Sequence, residues 1–122
     1  MKKKILIVED DPKNMTLFRD VLQVSGYETI EAIDGRQGVH LAATEKPDLI
    51  LMDIQIPHID GLEATRIIKA DEATRHIPIV ALTAYAMKGD EERILNAGCD
   101  GYIAKPITID TFLEKVAEYL GR

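Results

Sequence analysis

Leu49-Ile50-Leu51-Met52-Asp53 is an unbroken apolar run that stops on a carboxylate. A run this short with no polar alternation suits a strand buried on both faces, as in a parallel sheet covered by helices. Asp53 then stands where the chain leaves the sheet. A lone Asp there has an ordinary alternative use, capping the next turn. Other runs repeat the pattern, however. Ile5-Leu6-Ile7-Val8 ends in Glu9-Asp10-Asp11, Ile77-Pro78-Ile79-Val80-Ala81-Leu82 ends in Thr83-Ala84, and the short Tyr102-Ile103-Ala104 ends in Lys105-Pro106. A further strand is expected at Thr29 to Ile33.

Helical patterns separate these runs. Asp11 and Pro12 read as N-cap and first helical position, with Met15, Phe18, Val21, Leu22 and Ser25 at helical spacing before Gly26. Asp34 with Gln37 resembles a capping box opening a helix through Val39, Leu41, Ala42 and Ala43, closed by Pro47. Gln55 to Ile59 is expected to be loop, because Pro57 biases Ile56 away from helix. Asp60 and Glu63 form a second capping-box pair, followed by an apolar face of Leu62, Ile67 and Ile68. Met87 to Asn96 reads as a weak helix, since Gly89 and a cluster of charges leave few apolar anchors, and Gly98 ends it. Ile109, Phe112, Leu113, Val116, Ala117 and Leu120 mark a regular last helix.

Strand and helix alternating five times predict an α/β fold, a doubly wound parallel sheet with helices on both faces. No linker or repeat divides residues 1–122, so one domain is expected. Because parallel strands end on the same edge, Glu9, Asp10, Asp53, Thr83 and Lys105 should gather there. The net charge of -6 argues against a nucleic-acid partner held through phosphates. No apolar run reaches membrane-spanning length, and no signal peptide precedes the first strand. The single cysteine, Cys99, cannot form an internal disulfide and reads as a small buried hydrophobe in a cytoplasmic protein.

Three gathered carboxylates repel one another, and a cation relieves that repulsion. Oxygen ligands without His or Cys select a hard ion, and a few carboxylates completed by water suit Mg²⁺, with Mn²⁺ as a substitute. An ionised Asp beside such an ion, a Lys and a hydroxyl is arranged for phosphoryl transfer. The carboxylate attacks while the positive charges neutralise the phosphoryl oxygens. Thr83 can donate a hydrogen bond to one of them.

With Glu9-Asp10, Asp53, Thr83-Ala84 and Lys105-Pro106 at these places, the chain resembles the receiver domain of two-component response regulators. The stretches LILMDIQIP, TAYAMKGDEERI and YIAKPI are similar to single-domain cell-division regulators of that family. The resemblance covers nearly the whole chain. It implies a flavodoxin-like sheet of order 2-1-3-4-5 with five helices. It also implies Asp53 as phosphoacceptor, Glu9, Asp10 and Asp53 with the backbone carbonyl of Gln55 as Mg²⁺ ligands, and Lys105 paired with the phosphoryl group. Thr83 and Tyr102 would act as switch residues, Gln55 and Tyr85 would tune hydrolysis, and the bond before Pro106 would be cis. The implied partners are a histidine kinase or histidine phosphotransfer protein as donor, and a downstream signalling protein docking on the face of the fourth helix, fifth strand and fifth helix. The protein would be a monomer or weak homodimer. It would be a switch with self-catalysed phosphoryl transfer and slow autodephosphorylation rather than an enzyme, with no output domain attached.

Two other classes fit less well. A haloacid-dehalogenase-like phosphatase wants a second Asp two positions after the nucleophile, where Gln55 cannot titrate. A flavin or nucleotide carrier of the same architecture wants a glycine-rich phosphate loop after the first strand, and none is present.

Overall fold

In a computed structural model, described over residues 2–54, 60–83, 88–104 and 106–121, strands and helices alternate in strict succession. The strands are β1 (Lys4–Val8), β2 (Glu28–Ala32), β3 (Leu49–Asp53), β4 (Ile79–Thr83) and β5 (Gly101–Ala104). They form one parallel sheet in the order β2-β1-β3-β4-β5, as expected. The helices are α1 (Pro12–Val24), α2 (Gly35–Glu45), α3 (Gly61–Ala70), α4 (Lys88–Asn96) and α5 (Ile109–Tyr119).

Side-chain alternation divides the strands between two cores. Ile5, Ile7, Leu49, Leu51, Val80, Leu82 and Ile103 pack on Met15, Phe18 and Leu22 of α1 and on Phe112 and Val116 of α5. The Phe18 and Phe112 rings stack with centroids 5.1 Å apart. On the other face Leu6, Val8, Ile50, Met52, Ile79 and Ala81 meet Ala42 of α2, Leu62, Ala64 and Ile68 of α3, and Ile94 of α4. Both faces of β3 and β4 are therefore covered, which is why their sequences are apolar throughout.

Helix starts follow their caps. Asp11, Asp34 and Asp60 accept from the backbone N–H of Lys13, Gln37 and Glu63 at 2.9, 2.9 and 2.8 Å. The Gln37 side chain reaches back to the N–H of Ile33, one residue before the cap, at 3.0 Å. The Glu63 carboxylate faces Arg66 at 3.3 Å.

Several boundaries differ from the sequence reading. β2 runs Glu28–Ala32, so Ile33 lies outside it and is exposed, its N–H taken by Gln37. β4 starts at Ile79. Ile77 is buried before the strand begins, its carbonyl accepting from Lys69, while the Pro78 carbonyl accepts from Ile50 N–H at 3.0 Å. Ile67 is exposed rather than part of the buried face of α3, where Ala64 and Thr65 stand instead. α2 ends with Lys46 in the left-handed region at φ 47°, so the stop precedes Pro47. Ser25 is the exposed cap of α1, with Gly26 beyond it at φ 94°. The expected loop at 55–59 lies outside the described residues.

At the N-terminal edge of the sheet, the Lys69 ammonium donates to the carbonyls of Arg75 at 3.1 Å and Ile77 at 2.8 Å, and pairs with Asp100 Oδ2 at 3.0 Å. The same Asp100 oxygen accepts from Ile79 N–H at 2.8 Å, and the Asp100 carbonyl accepts from the Tyr119 hydroxyl at 3.0 Å. This network ties the end of α3, the starts of β4 and β5, and the end of α5 together.

Candidate functional site

β1 and β3 are neighbours with Val8 opposite Met52, so the next residues along, Glu9 and Asp53, are brought side by side at the C-terminal edge. By alternation Asp53 continues the row of Leu49 and Leu51, and Glu9 the row of Ile5 and Ile7. One carboxylate oxygen from each of Glu9, Asp10 and Asp53 falls within 4.8 Å of the others. Glu9 and Asp53 are buried at 1% and 4% exposure, whereas Asp10 is exposed, so the cluster is a pit open on one side.

Local hydrogen bonds hold this geometry. Glu9 N–H donates to the Ala32 carbonyl at 3.0 Å, extending the β1–β2 pairing by one residue. Glu9 Oε2 accepts from Asp11 N–H at 3.2 Å, which aims one oxygen at the start of α1. Ile54 N–H donates to the Leu82 carbonyl at 3.4 Å, and Gly61 N–H to the Ile54 carbonyl at 3.3 Å. The chain leaving Asp53 is thus tied to β4 on one side and α3 on the other. Buried carboxylates collected this way have oxygen donors only, a set that fits a hard divalent cation, and burial makes a neutralising charge worth more than it would be in water.

Thr83, the last residue of β4, is buried at the same edge. Asp53 stands opposite Leu82, so Thr83 belongs to the alternate row of β4, shared with Ile79 and Ala81. Tyr102 lies opposite Ala81 on β5, half-buried against that same core. Partial desolvation, then the charge of Glu91 and a hydrogen bond with it, push the Tyr102 phenol above its ordinary value. Pro106 lines a shallow apolar groove with Asn14, Leu17, Phe18 and Ile107. Lys105, Gln55 and Tyr85 lie outside the described residues.

Sequence reasoning missed two residues. Glu91 meets Tyr102 only through the packing of α4 beside β5, and no local signal announces it. Gly61 abuts the Asp53 backbone, and the only hint was the Asp60-Gly61 pair at a helix start. Cys99, as expected, is buried and free, its Sγ 3.7 Å from Thr65 Oγ1.

Among the described residues no helix is long and apolar enough to cross a membrane. The chain is 54% identical to the polar-differentiation response regulator DivK of Brucella anthropi, over 99% of this chain and 98% of that protein, and equally to its Brucella abortus counterpart. Its fold superposes on the receiver domain of a sensor histidine kinase from Pseudomonas aeruginosa, solved with a magnesium ion in its active-site cleft, with a TM-score of 0.93, 40% identity and 100% of both chains covered. The Vibrio cholerae chemotaxis protein CheY4 matches with a TM-score of 0.92 and 25% identity over 98% of this chain and 99% of that one. Residues 5–117 match the family model of the response regulator receiver domain, and the chain belongs to that family.

Proposed function

We propose that this chain is a phosphorylation-controlled binding switch whose phosphoacceptor is Asp53. The observation that carries the reading is the pit of Glu9, Asp10 and Asp53 at the sheet edge of a receiver-family protein. An Asp53 carboxylate oxygen attacks the phosphorus of a phosphohistidine on a histidine kinase or histidine phosphotransfer protein. An O–P bond forms, the P–N bond breaks, and the departing imidazole nitrogen keeps the electron pair and takes a proton from solvent.

Glu9, Asp10 and Asp53, with the backbone carbonyl of Gln55, would hold Mg²⁺ or its substitute Mn²⁺. The ion supplies the positive charge that lets an anionic phosphoryl group approach three carboxylates. Glu9 and Asp53 are held by the sheet, while Asp10 reaches in from the exposed side. Lys105 pairs with the transferred group, Thr83 donates to one of its oxygens, and Gln55 and Tyr85 govern how water reaches it for autodephosphorylation. Movement of Thr83 frees space on the face it shares with Tyr102. The surface of α4, β5 and α5 then changes its affinity for a separate signalling protein or a second copy. The match to DivK proteins over nearly their whole length supports a regulator of polar differentiation.

The test is labelling by acetyl phosphate with Mg²⁺ present. Asp53→Asn is expected to abolish the label, and Asp10→Ala to weaken Mg²⁺ binding by tenfold or more. Undiminished label on the Asn variant sinks the assignment.

A further inference from the structure

We propose that Gly61 is a positioning residue for Asp53: helix α3 is docked so tightly on the end of β3 that its first residue sets where the Asp53 carboxylate stands. A methyl group at position 61 would overlap the Asp53 carbonyl oxygen, and would lie 2.5 Å from Ile54 Cα and 3.0 Å from the Asp53 carbonyl carbon. All three atoms are backbone, which cannot rotate out of the way. Gly38 makes the contrast, because a methyl there meets only the Val8 side chain, at 3.0 Å.

Neither partner can simply retreat. α3 is held by Leu62, Ala64, Thr65 and Ile68, all at most 6% exposed. Its first turn is secured by the Thr65 hydroxyl donating to the Gly61 carbonyl at 2.8 Å, and its last turn by Lys69. On the other side the Ile54 N–H is tied to Leu82 and the Ile54 carbonyl to Gly61 itself. Relieving the contact with Ile54 Cα to 3.0 Å takes a shift of 3.0 − 2.5 = 0.5 Å. Well-formed metal sites keep their ligand distances within about 0.2 Å of the usual values. The end of β3 therefore cannot absorb the methyl and still present Asp53 to Glu9 and Asp10 as it does now.

This inference rests on the reading of the acidic pit as a metal and phosphoryl site, and its test separates the two. Mn²⁺ affinity, read by electron paramagnetic resonance without any phosphodonor, and the labelling rate by acetyl phosphate are measured for the unaltered chain, Gly61→Ala and Gly26→Ala. Gly26 has φ 94° and open space where a Cβ would stand, so its alanine variant is destabilised by backbone strain far from the site. Gly61→Ala is expected to weaken Mn²⁺ and slow labelling by tenfold or more, while Gly26→Ala leaves both unchanged despite a lowered melting temperature. Mn²⁺ affinity and labelling within twofold for Gly61→Ala overturn the proposal, as does an equal loss in Gly26→Ala. Should Gly61→Ala fail to fold, Thr65→Val removes only the hydroxyl that secures the Gly61 carbonyl. A fivefold loss of Mn²⁺ affinity there supports the proposal, and an unchanged affinity overturns it. An unaltered chain that takes up neither Mn²⁺ nor label overturns the proposed function, and this inference with it.

Discussion

Replacing Lys69 by Met keeps most of the aliphatic stem and deletes the ammonium, so it isolates what that charge contributes. Three acceptors lose their donor: the carbonyls of Arg75 and Ile77 and one oxygen of Asp100. Hydrogen bonds to a charged group are each worth roughly 1.5–3 kcal/mol net, which for three would suggest about 5–9 kcal/mol. That sum is too high for this site. The Asp100 side chain is 41% exposed and keeps its bond from Ile79 N–H, and the Arg75 carbonyl lies in an exposed turn, so water replaces much of both losses. The Ile77 carbonyl, in a part-buried bond, is the acceptor that pays most of the unsatisfied cost, and a loss of about 2–3 kcal/mol follows. For a domain of this size that corresponds to a fall in Tm of about 8–12 °C. Urea unfolding followed by circular dichroism reads it directly. The network sits at the edge of the sheet opposite the acidic pit, so the variant reports on the stability of the fold rather than on the acidic side chains themselves. A loss of stability below about 1 kcal/mol would refute the reasoning, because it would mean that water already serves the Ile77 carbonyl.

Two smaller predictions concern titration and reactivity. In an alkaline absorbance titration, with Tyr102→Phe as the reference for its signal, Glu91→Gln should lower the Tyr102 pKa, because a carboxylate that opposes phenolate formation has gone. The phenol is raised in the folded chain, so its contribution to stability is complete below the unfolded pKa and is lost as pH rises through the folded one. An unmoved Tyr102 signal would remove Glu91 as its partner. Burial pushes the Cys99 thiol up against the opposing effect of the Thr65 hydrogen bond, so it stays protonated and shielded at neutral pH. Iodoacetamide should therefore label Cys99 at least a hundredfold more slowly in the native chain than in urea, and comparable rates would contradict the packing of α3 on the segment after α4.

The central strands were readable because both faces of β1, β3 and β4 are buried, leaving runs that only a covered sheet explains. β2 at the edge is half solvated, with an exposed Glu28 and Glu31, and its weak pattern allowed an error of one residue. Ile77 continues the apolar run of β4 yet serves burial and the Lys69 network, while Pro78 gives only its carbonyl to Ile50 ahead of the strand, a distinction hydropathy does not carry. The acidic pit was legible for a topological reason: parallel strands deliver their ends to one edge. What local pattern could not supply were distances across elements. The approach of Gly61 to the Asp53 backbone and the meeting of Glu91 with Tyr102 both depend on how a helix settles against a strand far from it in sequence.

The two rows of β4 also restrict how such a chain can vary in length. Leu82 stands beside Asp53, while Thr83 belongs to the opposite side with Tyr102. Inserting or deleting one residue in β4 would exchange the two rows, burying Thr83 against α1 and α5 and turning Leu82 toward Tyr102. Length changes in this strand are tolerable only in pairs. Descendants of this sequence should therefore show drift in the composition of β4 but an unvarying count from Ile79 to Thr83, with insertions confined to the turns at the far edge of the sheet.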